Sequence, residues 1–360
     1  MNMYESLKAL KIKEKYGDKS AAAELKRRES ERHELPLHGI NNEAMYIVLN
    51  EDIIKLLETI SKLYASVTDT AKVSEVILLD SYHSATIEGA RTTVDNVRRS
   101  YEHPDTKDDK MVVNTMLAMN YAYEHVISQA DMRELWEIIV KDVCENTQYA
   151  GKVYRDGMVY IGNALKVIHT PAEPKQIGGM IDSLYDFLSA SVLNVWLKAA
   201  VMHFYFVYVH PYCDGNGRMV RVLTQSYLYH NGLDKMRYIA LARAINEELS
   251  GYYTALSDSE YVYANGKSKM DITPFVYYFL SIVERALVTS LQEDVEINAK
   301  QQLLLGKMHK QGQNAEITIA TAARILNVSQ QTAAKHLNSL VESGHLIKLK
   351  RDRRNIYILK

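Results

Sequence analysis

The sequence predicts a mainly α-helical protein: a helical bundle core with a β-hairpin flap, a helical N-terminal region and a small C-terminal winged-helix module. Three observations predict it. Proline and glycine are scarce, 6 and 16 in 360 residues, whereas sandwiches and barrels need turn residues every few positions. Apolar residues recur at helical spacing along most of the chain. Charge divides unevenly: residues 301–360 hold 10 Lys and Arg against 3 Asp and Glu, although the whole chain sums to -1. A basic terminal module on an acidic body points to two different partners.

Composition narrows the classes further. Hydrophobic residues make up 47% and charged residues 24%, which is globular and excludes a disordered tail protein. The expected division is a helical N-terminal region over 1–109, a core over 110–292 and a winged helix-turn-helix over 298–360. Cys144 and Cys213 are the two cysteines, too few for a disulfide framework or a four-thiolate zinc site. The N-terminus has no apolar run of signal-peptide type. The most apolar stretch, Ala199 to Val209, is interrupted by His203 and falls short of the roughly 20 residues a membrane span needs. A cytoplasmic protein with no membrane partner is expected.

The elements follow in order. Up to Leu35 the chain is charged and mixed in sign, which reads as a solvated helix or arm. Ile53, Leu57, Ile60 and Tyr64 place an amphipathic helix over Asn50 to Tyr64. A second helix spans Lys72 to Glu88 and meets Gly89. A third follows His103 to Asp109. Met158 to Ile161 and Lys166 to His169 read as two strands linked through Gly162, and Pro171 and Pro174 close that hairpin. Helices resume at Lys175. The helix before Pro211 puts Leu197, Val201, Phe204 and Tyr208 on one stripe. In the last 60 residues, Thr318 to Leu326 is a short helix. Asn327 and Val328 make the turn, and Ser329 caps a second helix reaching Glu342. Two strands, Leu346 to Leu349 and Asn355 to Leu359, flank the basic turn 350–354.

The segment rich in chemistry is His210-Pro211-Tyr212-Cys213-Asp214-Gly215-Asn216-Gly217-Arg218-Met219-Val220-Arg221. Pro211 stops the incoming helix. Gly215, Asn216 and Gly217 all tolerate positive φ, so the run can turn successive amides toward one point as an anion nest. Arg218 opens a helix whose N-terminus adds free amides and partial positive charge. Arg218 and Arg221 share one face. Together these describe a polyphosphate cradle. Asp214 beside it can hold Mg²⁺, and His210 can take a proton near neutral pH. Rival phosphate motifs fail. Gly266-Lys267-Ser268 lacks the upstream glycine of a Walker loop, since Tyr261 stands there, and Gly215-x-Gly217 lacks a third glycine and a preceding strand.

These residues resemble the Fic family, whose signature HPFx(D/E)GNGRxxR lies between two helices of an all-α core. Here it reads HPYCDGNGRMVR, with Tyr212 for the usual Phe. The resemblance runs from about Lys110 to Val288 and takes in Ala150-Gly151-Lys152-Val153-Tyr154-Arg155, Tyr252-Tyr253 and Asp271-Ile272-Thr273-Pro274-Phe275. It implies His210 as the base that deprotonates a Tyr, Thr or Ser hydroxyl of a target protein. That oxygen would attack the α-phosphate of ATP, with Mg²⁺ on Asp214. Gly215, Asn216 and Gly217 would cradle the nucleotide, Arg218 and Arg221 would hold its β and γ phosphates, and Tyr252 and Tyr253 would line the adenine site. Gly217 stands where a kinase-like branch carries lysine, which favours AMP transfer. The alternatives are kinase, phosphocholine transfer or AMP-removing activity on the same fold, or a DNA-binding regulator with a nucleotide-sensing core.

Ser84-Ala85-Thr86-Ile87-Glu88-Gly89 resembles the family's (S/T)xxxE(G/N) inhibitory helix. Ser84 and Glu88 share a face, and Glu88 at a helix C-terminus is opposed by the macrodipole by about 0.3–1 kcal/mol, so a cationic partner is expected. By the resemblance that partner is Arg221. The 158–169 hairpin resembles the flap along which a target protein docks, by strand addition. The C-terminal module resembles a winged helix. Gln330, Gln331, Thr332, Lys335, His336 and Asn338 are placed to reach base edges, and Arg351, Arg353 and Arg354 the phosphates, of double-stranded DNA. Docking of a protein is the other role such a module serves, and a homodimer is compatible with the sequence.

Overall fold

The computed structural model describes residues 4–68, 73–144, 153–163, 166–261, 269–312, 315–342, 344–351 and 354–360. Helices dominate, as the periodicity requires. The chain opens with α1 (Leu7–Lys15) and α2 (Lys19–Ser30), capped by the side chains of Ser6 and Asp18. It then departs from the helical expectation. β1 (Arg32–His38) and β2 (Ala44–Val48) form an antiparallel pair. The reason is an alternation hidden among charges: Leu35 and Leu37 point inward, while Glu34, Pro36 and His38 point out.

Helix α3 (Glu51–Ser66) is capped by Asn50 and is followed by α4 (Val73–Ile87), α5 (Val94–Arg99), α6 (Lys107–Glu124) and α7 (Met132–Val140). The hairpin is β3 (Ile161–Asn163) with β4 (Lys166–His169). Its first strand begins at Ile161 rather than Met158. Ile161 pairs with His169, so residues 158–160 would have to pair beyond it, against a segment that includes Pro171, which has no N–H to give a ladder.

Pro174 occupies the first turn of α8 (Pro174–Ala190), and α9 (Val195–Val209) starts from an Asn194 cap. α9 is buried on nearly every side, not along one stripe. After α10 (Asn216–His230) come a 3-10 turn (Asp234–Tyr238), α11 (Leu241–Glu247), α12 (Leu249–Ser259), β5 (Lys269–Asp271) and the long α13 (Thr273–Gln311). β5 joins β2 in parallel, completing a three-stranded sheet.

The chain divides into two compact units, Met1–Val288 and Thr289–Lys360. The second contains β6 (Glu316–Thr318), α14 (Ile319–Leu326), α15 (Gln330–Glu342), β7 (Leu346–Arg351) and β8 (Arg354–Leu359). Thr318 caps α14 and Ser329 caps α15, and Asn327 makes the turn at φ 52°. The three strands pair in the order β6-β8-β7 over a core that includes Leu304, Leu337 and Tyr357. Two residues expected at a base edge are not there. His336 is buried, and Asn338 accepts the Tyr357 hydroxyl at 3.1 Å. Arg353 lies outside the described residues.

Helix α4 is anchored at its middle by a buried carboxyl. Asp80 is 2% exposed, and its Oδ1 accepts the Ala242 amide at 2.6 Å, capping α11 from outside. Asp80 Oδ2 and Gln225 Oε1 are both buried without a partner. Burial pushes Asp80 up to about 7, against the opposing pull of the 242 and 243 amides, Arg221 and Gln225. A proton on Asp80 would turn its carboxyl into a donor in place of a buried, unpartnered acceptor. Between 3.8 and about 7 the folded chain therefore holds a proton that the unfolded chain has released. The stability this confers is full at low pH and is lost as pH rises toward 7. Asp80→Asn, which keeps the acceptor and adds a donor, is expected to flatten that decline between about pH 5 and 7. Its thermal midpoint at about pH 8 should exceed that of the parent, by scanning calorimetry; a midpoint below the parent's across this range would refute the proton.

Candidate active site

The loop joining α9 to α10 is shaped by local contacts. α9 ends at Val209, and His210 caps it at φ 53°, ψ 63°, in the left-handed region. Tyr212 turns inward and stacks on Trp136 of α7, with centroids 5.1 Å apart and planes at 10°. The Trp136 indole N–H donates to Asp214 O at 2.9 Å. Asn216 staples the loop across itself: its Oδ1 accepts the Tyr212 amide at 3.0 Å and its Nδ2 donates to Tyr212 O at 2.8 Å. Gly215 adopts φ 80°, and a Cβ there would meet Val140 Cγ1 at 2.9 Å.

This corrects the expected nest. Of Gly215, Asn216 and Gly217, only Gly215 has positive φ; the other two already belong to α10, which opens at Asn216 rather than at Arg218. The second left-handed residue is His210. What remains of the cradle is the helix N-terminus, whose first amides have no intrahelical acceptor.

Around that terminus the charges are specific. His210 Nδ1–H donates to Val207 O at 3.3 Å, which leaves Nε2 with its lone pair. Burial lowers its pKa to about 4, so the ring is neutral at pH 7 and able to accept a proton. Arg218 is buried and donates from Nη1 to Ile139 O at 3.0 Å. Its Nη2 lies 3.8 Å from Asp214 Oδ1, and its Nε has no partner. Asp214 is half-exposed, with Oδ1 accepting the Gly215 amide at 2.6 Å. Among the described residues no cluster of three or more His, Cys, Asp or Glu could itself hold a metal. One carboxylate facing solvent beside a cationic helix terminus fits a hard divalent cation brought in on phosphate oxygens.

Arg221 is gripped from α4. Its Nε donates to Ser84 Oγ at 2.8 Å, and Nη2 donates to Ser84 O at 2.9 Å and Glu88 Oε1 at 2.7 Å. Glu88 follows the last residue of α4, and Gly89, at φ 91°, turns the chain away. The ion pair that the family resemblance implies for Glu88 and Arg221 is thus present. Sequence reasoning missed what receives the carboxylate. A Cβ at Gly217 would lie 2.0 Å from Glu88 Oε1 and 3.1 Å from Arg221 Nη1, so the absent side chain of Gly217 is the seat of Glu88. It also missed Trp136 and the Ile139 carbonyl, which support the loop from beneath. Tyr252 is taken up in the core, its hydroxyl 3.1 Å from His203 Nε2, while Tyr253 is exposed. The pair expected at an adenine site is therefore split between interior and surface. Gly266, Lys267 and Ser268, and residues 150–152, lie outside the described residues.

These features define a helical domain whose loop and helix N-terminus gather backbone amides and two arginines at one place, an arrangement able to hold an anionic group. Residues 126–228, which hold the whole loop, match the Fic/DOC family model. That stretch of the chain carries a domain of this family. A protein adenylyltransferase Fic of Drosophila willistoni is 28% identical over 219 residues, 57% of this chain and 40% of that protein. The one of Drosophila erecta has the same identity and coverage. The chain thus spans well under two thirds of the length of these relatives. A Fic family protein from Desulfovibrio desulfuricans G20 shares the fold, with TM-score 0.58 and 19% identity over 87% of this chain and 97% of that one. Fic-1 from C. elegans aligns with TM-score 0.51 and 19% identity over 67% of this chain and 72% of that one.

Gly217→Ala tests the seat. The methyl group would occupy the carboxylate's place, and the end of a glutamate side chain moves easily. A crystal structure of the variant is expected to show Glu88 beyond the ion-pair limit of about 4 Å from Arg221, with α10 unchanged. Retention of the 2.7 Å contact would show that Gly217 is not its seat.

Proposed function

We propose that this protein transfers AMP from ATP to Tyr, Thr or Ser hydroxyls of a target protein and of itself, and that Glu88 restrains the reaction. The observation that carries the reading is the joining of a neutral His210, its Nε2 lone pair available, to a helix N-terminus flanked by Arg218 and Arg221. The names of the Drosophila relatives support it.

The target oxygen attacks the α-phosphorus while His210 Nε2 takes its proton. The bond from the α-phosphorus to the bridging oxygen breaks, and pyrophosphate leaves with the electron pair. Its charge is met by the first amides of α10 and by the two guanidinium groups, which need no reorganisation because they are already fixed. Mg²⁺ carried on the phosphates and held by Asp214 would neutralise part of the same charge. Glu88 opposes this in two ways: it occupies Arg221, and it puts a carboxylate where a terminal phosphate would lie. The target segment lies along the 158–169 hairpin, where strand addition places a hydroxyl without close reading of sequence.

Removal of the brake is the direct test. Glu88→Gly is expected to raise self-labelling from labelled ATP by about 5–150-fold, the usual span of a coupling free energy of 1–3 kcal/mol. Intact mass should gain one adenylyl group; gain of a bare phosphate would instead favour a kinase. His210→Ala in that background should abolish labelling, and persistent labelling would place the base elsewhere.

For the C-terminal unit we propose contact with double-stranded DNA. Gln330, Gln331 and Lys335 are exposed on the first half of α15, and Lys350, Arg351 and Arg354 are exposed on the wing. The excess of Lys and Arg in residues 301–360 supports this choice. Duplex binding by fluorescence anisotropy is expected to weaken steeply with added salt, by about 0.9 log unit per log unit of salt for each phosphate neutralised. No binding at low salt would assign the unit to protein docking.

A further inference from the structure

The end of α9 presents carbonyls that no helical amide can take, because a helix leaves its last four without partners. Two of them, and the two carbonyls that follow in the loop, are held by the arm that carries the hairpin. Tyr208 O lies 2.8 Å from His169 Nε2. Val209 O accepts from Arg155 Nη2 at 3.5 Å, His210 O from Arg155 Nε at 2.8 Å, and Pro211 O from the Arg155 amide at 3.0 Å. The same guanidinium donates to Gly157 O at 2.8 Å and to Ala172 O, one on each side of the hairpin. His169 is fixed in turn, its Nδ1 2.8 Å from Glu260 Oε2 on the turn after α12. Both side chains are buried.

Their location gives these bonds a use beyond closing a helix. His210 sits at φ 53°, a conformation disfavoured for a residue with a Cβ, which persists only where the surroundings impose it. The carbonyl of that very residue is the one Arg155 holds through Nε. A planar guanidinium with its donors in a rigid fork fixes direction as well as distance. The flap ends and the base are therefore tied to one rigid group, and a hydroxyl presented along the hairpin inherits its distance to the imidazole from that group.

We propose that Arg155 and His169 are positioning residues, which hold the His210 imidazole in register with the flap hairpin and hence with the target hydroxyl. This rests on the AMP-transfer reading above. The experiment uses the full chain carrying Glu88→Gly, with Arg155→Lys or His169→Gln added, at a temperature where circular dichroism shows each variant folded. Arg155→Lys is expected to lower kcat about 100-fold, the cost of misplacing a reacting group by about 1 Å. The Kd for a non-hydrolysable ATP analogue should stay within about twofold of the parent's, because nucleotide contacts lie on α10 and not on the arm. His169→Gln, which can keep the bond to Tyr208 but not the second one to Glu260, is expected to give a smaller loss in the same direction, and it decides the matter if Arg155→Lys does not fold.

A second readout is independent of activity. The His210 ring, pushed down to about 4 by burial, should titrate closer to its ordinary 6.5 in Arg155→Lys, which keeps the positive charge nearby, when followed by NMR. A parent that transfers nothing sinks the AMP-transfer reading alone; the titration then still tests the positioning. A folded Arg155→Lys variant whose His210 titrates as in the parent overturns the proposal, whatever its rate.

Discussion

Arg221 is a cation at 3% exposure, and a buried cation must be paired, because the cost of leaving it bare is several kcal/mol. Much of the site follows from that need. Ser84 gives Arg221 a hydroxyl and a carbonyl, and Glu88 gives it a carboxylate. A phosphate can satisfy the same donors with more charge. On the reading proposed above, a nucleotide and the glutamate would be rivals for one guanidinium, and the outcome would rest on their difference in affinity for it. The carbonyl and hydroxyl of Ser84 keep the side chain in place whichever anion is present.

Beneath the loop the constraint is packing. Tyr212 on Trp136, the indole bond to Asp214 O, and Val140 against Gly215 fix where α10 begins. Arg218 reaches back to Ile139 O on the same helix α7. A helix terminus is a weak anion site when it can fray; here it is clamped on one side by aromatic stacking and on another by a buried guanidinium. Preorganisation of that kind is what lets backbone amides stabilise charge without moving at the moment it appears.

Much of this was legible in the sequence, and the failures have physical causes. The order of helices, the hairpin and the helix-turn-helix followed from periodicity and caps, which are local. The pairing of Glu88 with Arg221 followed from a four-residue spacing together with a family resemblance. β1 stayed hidden because charged residues on its exposed face masked the alternation of Leu35 and Leu37. The nest over Gly215, Asn216 and Gly217 was expected because those residues tolerate positive φ. Tolerance does not compel, and the helix claimed two of them once Asn216 could bond Tyr212 from inside its first turn. Tyr252 could not be told from a ligand-facing ring, since its partner His203 is 49 residues away in sequence. The seat at Gly217 is invisible to any linear reading, because it is filled by Glu88, whose partner Arg221 is 133 residues from it in sequence.

Spacing along α4 bears on how the Glu88–Arg221 contact, the restraint proposed above, could be broken. Asp80, Ser84 and Glu88 recur every four residues and so lie along one face, opposite Arg221 and Gln225, which recur likewise on α10. The upper end of this ladder is the firmer. Asp80 is buried, caps α11 through Ala242, and faces Gln225. Withdrawing the whole helix would strip that cap and expose Ile77, Leu78 and Ala85 from the core, at roughly 25 cal/mol for each Å² of apolar surface returned to water. Glu88 lies past the last helical residue, its side chain 34% exposed, with Gly89 free to turn behind it. Swinging one carboxylate off Arg221 costs a single ion pair, which any other anion at that place would restore. Breaking the contact by local movement at the end of α4 is therefore far less costly than undocking the helix.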